Sequence, residues 1–253
     1  MATRGVRDIE VGFASRQGPH REENQDSFGV FPRGLSTDGP STPRLLVVAD
    51  GMGGHRGGRE ASQMAVHHLE ERVLGKGARD PLRALEEGVK AANQAIYERS
   101  QGEPALAGMG TTCTAVLLQD KAVHVAHVGD SRAYRIRGGR ITQLTTDHSW
   151  VEQMVQEKQM SKDEAAHHHQ RHVLHRAVGV LPDVDVDRIG PEGLEDGDTF
   201  LLCSDGVDVV TEDRLLSAVR QHAPQDACDR ILQWVADEGG RDDSTVVVAV
   251  IRV

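Results

Sequence analysis

The chain has 253 residues, with 39 acidic and 29 basic side chains and a formal net charge of −10 at pH 7. Because nucleic acids and anionic membranes attract basic surfaces, this balance argues against either as the main partner. No apolar run approaches the roughly 20 residues that cross a bilayer, and residues 1–10 contain no hydrophobic signal region. We therefore expect a soluble, cytoplasmic protein in which residues 1–253 form one domain.

The first half of the chain is predicted to contain strands followed by two helices. A loop rich in Gly, Ser, Thr and Pro covers 32–43 and precedes the most apolar early strand. That strand ends at Asp50, where a glycine-rich loop begins. In order, the elements are strands over 7–15, 27–31 and 45–49 and helices from Gly57 and from Asp80-Pro81.

Residues 111–144 are the most informative for the fold. They predict four consecutive strands with no room for a helix between them, and Gly138-Gly139 is typical of a two-residue hairpin. Consecutive hairpins give antiparallel strands, which argues against a doubly wound parallel sheet. The later elements are helices over 149–159 and 162–169, strands over 184–189 and 199–204, helices over 212–221 and 225–238, and a last strand over 245–251.

Acidic residues recur at the edges of the predicted strands. A carboxylate at the end of a strand is held rigidly by the sheet, and a glycine beside it lets other groups approach closely. Five such acids, from distant parts of the chain, predict one acidic cluster. They are Asp26, Asp50, Asp130, Asp205 and Asp242.

Six short motifs follow one another in a fixed order. They are Arg21-Glu22-Glu23-Asn24-Gln25-Asp26, Asp50-Gly51-Met52-Gly53-Gly54-His55, Gly110-Thr111-Thr112, Gly129-Asp130-Ser131-Arg132, Ser204-Asp205-Gly206 and Gly239-Gly240-Arg241-Asp242-Asp243. Together they resemble the motif set of the metal-dependent, type 2C serine/threonine protein phosphatases, above all the bacterial catalytic domain. The resemblance implies an α/β (α+β) fold, a four-layer α-β-β-α sandwich with two central antiparallel sheets and a flap insertion over about 149–178.

The resemblance also implies a binuclear metal site. Its ligands would be the side chains of Asp26, Asp50, Asp205 and Asp242 and the carbonyl of Gly51. An all-oxygen site of this kind prefers Mn²⁺ or Mg²⁺ to zinc, and two such ions sharing a water would create a bridging hydroxide that attacks phosphorus. A third, weaker cation would use Asp130 together with Asp205.

Two further residues receive catalytic roles from the resemblance. Arg21 would hold the phosphoryl oxygens in its planar fork. His55 would protonate the departing serine or threonine oxygen, although it could also be an ordinary polar loop residue. Asp130 likewise has an alternative, in which it pairs with Arg132 or with a turn amide.

The expected function is hydrolysis of phosphoserine and phosphothreonine in proteins, as part of signal transduction. The expected partners are phosphorylated targets of serine/threonine kinases, with no nucleic acid and no membrane, and the enzyme is expected to be a monomer. One alternative is a small-molecule phosphomonoesterase of the same mechanism. Another is a weakly active phosphoprotein-binding module, which the complete ligand set disfavours.

Several residues depart from the family pattern or suggest other chemistry. Asp243 would add a charge to an already acidic site, and Asp208 arrives one residue earlier than the pattern places it. The run His167–His169, with His172 and His175 nearby, could form a transition-metal site or lie on a solvated flap. The second interpretation is favoured because adjacent residues on a helix point in different directions.

Overall fold

The computed structural model describes residues 8–32, 43–53, 55–75, 79–119 and 121–252, and the side chains of His55 and Arg56 lie outside this description. The predicted loop over 32–43 therefore falls almost entirely outside the described residues. The strands are β1 Asp8–Arg16, β2 Asp26–Phe31, β3 Arg44–Met52, β4 Gly110–Thr111, β5 Cys113–Gln119, β6 Ala122–Val128, β7 Arg132–Arg137, β8 Arg140–Gln143, β9 Asp187–Gly193, β10 Thr199–Cys203 and β11 Ser244–Arg252. The α-helices are α1 His55–Leu74, α2 Pro81–Gly102, α3 Trp150–Gln156, α4 Lys162–His167, α5 Glu212–Gln221 and α6 Pro224–Asp237.

The strands form two antiparallel sheets. The first has the order β1-β11-β10-β7-β8, and the second has the order β2-β3-β5-β6-β9, with β4 pairing the end of β3. Helices α1 and α2 cover the outer face of the second sheet, and α5 and α6 cover the outer face of the first. The predicted four-layer sandwich is confirmed.

Alternation along the central strands produces three separate apolar layers. In β3, Leu46 and Val48 point into the layer between the sheets, whereas Leu45 and Val47 point toward the helices. Successive side chains of a strand face opposite sides, so a strand buried on both sides reads as one continuous apolar run. Full burial of each such side chain contributes roughly 1.5–3 kcal/mol relative to exposure.

The helices pack on the sheets through apolar faces, and α2 begins with an ordinary N-terminal cap. Leu69 of α1 and Leu85 of α2 are fully buried against the second sheet. Asp80 caps α2 by accepting a 3.2 Å hydrogen bond from Arg83 N, and Pro81 occupies the first turn, where no helical partner for its nitrogen is needed. No helix in the described residues is long and apolar enough to cross a membrane.

Two predicted strands differ from the observed ones. The first of the four strands predicted over 111–144 is interrupted at Thr112, where Asp50 N of β3 donates to the Thr112 side-chain oxygen at 2.8 Å. The strand predicted over 184–189 has the wrong bounds, since β9 runs over Asp187–Gly193. This edge strand contains Pro191, and an edge tolerates the missing N–H that a central strand would not. Val184, the apolar start of the predicted strand, instead packs under the helical layer.

The predicted flap helices are shorter than expected. Helix α3 ends at Gln156 rather than 159, and α4 ends at His167 rather than 169. A capping box at Ser161 and Glu164 begins α4, which the sequence pattern allows. His168 and His169 therefore lie beyond the helix, and their ring centroids are 4.4 Å apart.

Stability should depend on pH through a histidine buried in β6. His127 is fully buried, and its ring nitrogens contact Thr114 Oγ1 at 2.9 Å and Thr146 O at 3.0 Å. Burial, followed by the neighbouring His148, lowers the pKa of His127 to about 4. A histidine kept neutral in the folded state stabilises the fold above its unfolded pKa near 6.5, and this contribution is lost as pH falls toward the folded pKa.

The stability advantage of the wild type over His127→Gln should therefore shrink between pH ~6.5 and ~4, by up to about 1.4 kcal/mol per pH unit. Urea unfolding in EDTA across that range measures the difference. His222→Gln, at an exposed position, is the control and should show no such trend. A difference that stays constant with pH would mean that His127 is not held neutral by the fold.

Candidate metal and phosphoryl site

The predicted acids meet where the ends of the two sheets come together. Asp26 and Asp50 are directly opposite each other on β2 and β3 of the second sheet. Asp205 follows β10, and Asp242 precedes β11, which is the neighbour of β10 in the first sheet. Each sheet thus brings two of the four predicted ligands to the same edge.

Ser204 joins the two pairs, a role that sequence reasoning missed. Its Oγ donates to Asp26 Oδ2 at 2.7 Å and accepts from Thr245 N at 2.9 Å. The hydroxyl is fully buried and has a partner for both functions. The only available sequence signal was its position between a strand and the Asp205-Gly206 pair, which does not reveal a partner in the other sheet.

The main chain of Asp50 is fixed by the two threonines of the third motif. Thr112 Oγ1 accepts from Asp50 N at 2.8 Å, and Thr112 N donates to Asp50 O at 2.8 Å. Thr111 Oγ1 also donates to Asp50 O, at 2.9 Å. These three hydrogen bonds hold the backbone from which the carboxylate projects.

Close packing requires glycine directly after Asp50 and directly after Asp205. A Cβ on Gly51 would lie 2.1 Å from Gly58 O in α1, and one on Gly206 would lie 2.0 Å from Asp243 O. Real Cβ atoms do not approach backbone oxygen so closely. Positive φ is needed instead at Gly53, where φ is +120°.

The clustered carboxylates repel one another. Burial raises the pKa of Asp26 to about 7, and the charge of Asp205 raises it as well, although hydrogen bonds from Thr245 and Ser204 oppose the shift. Burial, followed by the charges of Asp26 and Asp205, raises the pKa of Asp50 well above its usual range. Burial and the charge of Asp205 do the same to Asp130.

Asp205 differs from these acids because a histidine of the flap reaches it. His172 Nδ1 lies 3.0 Å from Asp205 Oδ2. Burial would raise the pKa of Asp205, but the hydrogen bond and the charge of His172 outweigh it, so the pKa is lowered. The same hydrogen bond raises the pKa of His172.

The pattern of partners fits a hard cation. Asp26 Oδ1 and Asp205 Oδ1 are buried with no hydrogen-bond partner, whereas the second oxygen of each carboxylate is bonded. Across the described ranges, no three His, Cys, Asp or Glu side chains are already gathered as ligands of one ion. The two orphaned oxygens carry more weight, because Mg²⁺-like ions take few carboxylates and keep several waters.

Asp243 adds its charge to the cluster as expected, since burial raises the pKa of Asp26 and the charges of Asp205 and Asp243 raise it further. The carboxylate of Asp243 is buried and turned toward the preceding loop, where Oδ1 accepts from Gly18 N and Oδ2 from Gln25 N, both at 2.8 Å. These bonds to both ends of the loop fix the segment that carries Arg21. Arg21 itself forms an ion pair with Asp242, and both side chains remain partly exposed.

Arg132 bonds to neighbours other than the expected one. Its Nε and Nη2 donate to Asp147, and its Nη1 donates to Asp208 at 2.7 Å. The described hydrogen bonds of Arg132 go to Asp147 and Asp208, and toward Asp130 it acts through its charge, which opposes the rise in the pKa of Asp130 caused by burial and nearby acids. Asp208, which arrives early in the pattern, has a structural role because it accepts this hydrogen bond from Arg132. Burial raises the pKa of Asp208 to about 7, and the charge of Arg132 opposes the shift.

A cleft of about 1000 Å³ opens over these groups. The cleft is lined by Arg21, Asp130, Asp205 and Asp242 and by residues of the flap, which include His172. Of the predicted site residues, Asp26, Asp50, Gly51, Asp205 and Asp242 lie at the junction of the two sheets. The side chain of His55 is outside the described residues, although its backbone begins α1 directly after the Asp50 loop.

The histidine run does not form a metal site in the part of the chain that is described. His168 packs on Trp150, with ring centroids 5.1 Å apart, and His167 Nδ1 contacts Asp163 O at 2.9 Å. His175 lies near His148, at 5.7 Å between ring centroids. Only His172 turns toward the acidic cluster.

Relief of the carboxylate repulsion should be measurable without metal. An acid whose folded pKa is raised destabilises the fold by the full amount above that folded pKa, and the penalty shrinks as pH falls below it and is gone below the unfolded pKa of about 3.9. In EDTA at pH 8, Asp50→Asn should therefore melt above the wild type, by roughly 2–4 °C for each 1 kcal/mol of repulsion removed. The difference should diminish as the pH is lowered.

Differential scanning fluorimetry of both proteins checks this expectation, with Asp183→Asn as an exposed control that should not change the melting temperature. A variant at position 50 that melts at or below the wild type throughout the pH range would contradict it.

Comparison with known proteins adds an independent finding. The family described as protein phosphatase 2C matches residues 20–243. The serine/threonine protein phosphatase PstP of Mycobacterium tuberculosis is 38% identical over 213 residues, which cover 81% of this chain but only 40% of the relative. The chain thus spans less than half the length of that protein. The serine/threonine phosphatase stp of Listeria monocytogenes is 34% identical over 246 residues, 95% of each chain.

A solved structure agrees with the sequence relatives. The catalytic domain of serine/threonine protein phosphatase PstP, in complex with two manganese ions, has a TM-score of 0.82 and 33% identity, covering 97% of this chain and 99% of that chain. The family match extends from the loop before Arg21 to Asp243 and so includes every acid at the junction of the sheets. This chain belongs to the protein phosphatase 2C family.

Proposed function

We propose that the chain is a metal-dependent protein phosphatase that hydrolyses phosphoserine and phosphothreonine. The observation that carries the proposal is the pair of buried, unpartnered oxygens, Asp26 Oδ1 and Asp205 Oδ1, together with a cleft that is lined by Asp205 and Arg21. Buried polar atoms normally have a partner, so these oxygens indicate a missing ligand.

Two cations, Mn²⁺ or Mg²⁺, would be held by Asp26, Asp50, Asp205 and Asp242 with the carbonyl of Gly51. When bound, such ions supply activation of a water nucleophile and neutralisation of phosphoryl charge. Asp130, whose pKa is raised by burial and then by the charge of Asp205, would hold a weaker third ion together with Asp205.

Arg21 binds the phosphoryl group at the mouth of the cleft. Its ion pair with Asp242 orients the guanidinium, and the remaining N–H groups of the fork are directed to phosphoryl oxygens. The loop behind it is fixed by the two hydrogen bonds to Asp243, which limits the entropy lost when substrate binds. His55, at the start of α1, donates a proton to the serine or threonine oxygen as it leaves.

The substrates are phosphorylated proteins, targets of serine/threonine kinases. A cleft near 1000 Å³ lies within the roughly 300–1,000 Å³ range of small-molecule pockets, so the choice of protein substrates rests on the relatives, which are named serine/threonine phosphatases. The same proposal describes one catalytic domain with a flap over about 149–178, acting as a cytoplasmic monomer without nucleic acid or membrane.

Hydrolysis should depend strictly on metal. EDTA should abolish turnover of a phosphothreonine peptide, and Mn²⁺ or Mg²⁺ should restore it. Asp242→Asn should weaken Mn²⁺ binding and lower turnover, each by more than about ten-fold, because it removes a ligand rather than an outer contact. Asp183→Asn is the matched control. Activity that persists in excess EDTA would exclude the mechanism.

Arg21 and His55 should be distinguishable by the leaving group. General acid catalysis contributes roughly 10²–10⁴-fold and matters most for poor leaving groups. His55→Ala should therefore slow a phosphothreonine peptide by about 10²-fold or more, and p-nitrophenyl phosphate much less. Arg21→Ala should weaken both substrates, because both carry the phosphoryl group. Equal losses on the two substrates for His55→Ala would remove it from the acid role.

A further inference from the structure

Asp26 and Asp205 share an unusual arrangement of partners. In each carboxylate, Oδ1 is buried without a hydrogen-bond partner, whereas Oδ2 accepts a hydrogen bond. For Asp26 the donor is Ser204, a buried residue of the sheet junction. For Asp205 the donor is His172, which belongs to the flap and whose side chain is 50% exposed. One ligand is thus oriented by the core and the other by a surface insertion.

His172 is held in place by the base of the flap. Arg171 N donates to His168 O at 3.2 Å and Val173 N donates to Gln170 O at 3.0 Å, so one turn precedes His172 and a second turn contains it. Trp150 N in turn donates to Val173 O at 2.7 Å, which ties the turn to the start of α3. The imidazole therefore reaches Asp205 from a defined backbone position.

We propose that His172 is a positioning residue that orients Asp205 so that Oδ1 faces the cation, and that this contact couples cation affinity to the conformation of the flap. The inference rests on the proposed function, since it assumes a cation at Asp205. It assigns a role to a residue of this chain outside the six motifs. It also gives the flap an energetic connection to the site beyond forming one wall of the cleft.

The physical basis is the rigidity of an oriented ligand. A carboxylate bonded through one oxygen keeps the other aimed at the ion, and removal of such an outer contact typically costs 10–100-fold in metal affinity or activity. Coupling between two binding events is reciprocal. If the contact between His172 and Asp205 strengthens cation binding, cation binding must stabilise that contact to the same extent. Cation binding should therefore protect the flap from local opening.

A competing arrangement would have His172 occupy the position of the ion. The structure argues against it, because the imidazole bonds only Oδ2 and leaves Oδ1 without a partner. The two arrangements predict opposite results. Loss of a positioning group weakens cation binding, whereas loss of a competitor strengthens it.

The test uses three variants of the full chain. His172→Phe keeps a ring but removes the donor. His172→Asn keeps an N–H donor at the same number of bonds from Cα as Nδ1. His169→Ala is the control, because this exposed histidine belongs to the same flap but does not line the cleft. Since His172 is half exposed, all three should fold, which melting in EDTA verifies.

Mn²⁺ alone is the probe, measured by isothermal titration and by the rise in melting temperature. His172→Phe should raise the Mn²⁺ dissociation constant by about ten-fold or more, His172→Asn should stay within about three-fold of the wild type, and the control should not change. Hydrogen exchange should show that Mn²⁺ protects amides of 162–173 in the wild type and in His172→Asn, but much less in His172→Phe.

The outcomes are separable. Unchanged Mn²⁺ affinity in His172→Phe, tighter binding in it, or an equal loss in His172→Asn would each overturn the positioning role while leaving the proposed function intact. Absence of any Mn²⁺ binding in the wild type would instead overturn the proposed function. Weaker binding in His172→Phe together with rescue by His172→Asn and loss of flap protection supports the inference.

Discussion

Ser204 Oγ donates to Asp26 Oδ2 where the acid ends of the two sheets meet, and the site depends on this junction. Each sheet has its own helical layer and its own apolar core, with a third apolar layer between the sheets. The apolar layer brings the sheets together, but it ends in carboxylates that repel. The buried hydroxyl of Ser204, with its two partners, holds the acid-bearing ends of the two sheets together.

Much of the fold could be predicted because strand alternation is a local property. The apolar runs of β3, β10 and β11 and the consecutive hairpins after Thr111 directly indicate buried antiparallel strands. The break at Thr112 and the shift of β9 could not be predicted, because they depend on tertiary contacts. Thr112 bonds to Asp50, 62 positions away, and β9 is an edge strand that needs little apolar character.

The site shows the same division between local and tertiary information. Strand-end acids identified the carboxylate cluster, since a carboxylate held by a sheet needs no distant partner to be recognised. The roles of Ser204, Asp147 and His172 arise only from neighbours far along the chain. Asp243 is the clearest example: its charge acts on Asp26 as expected, but the hydrogen bonds that its carboxylate accepts from two amides of the Arg21 loop could not be predicted. Direction of a side chain is what sequence position alone does not give.

The four acids of the cluster are divided between the two sheets, so their spacing depends on the distance between the sheets. Asp26 and Asp50 move with one half of the sandwich, and Asp205 and Asp242 move with the other. The spacing of the halves is set by side chains such as Val48 and Val247, which never touch an ion. Any change that thins or thickens this middle layer changes the distance between the carboxylate oxygens of one pair and those of the other. Inter-sheet distance therefore sets the spacing of the two pairs of carboxylate oxygens, and small and large divalent ions differ in the oxygen spacing that they require.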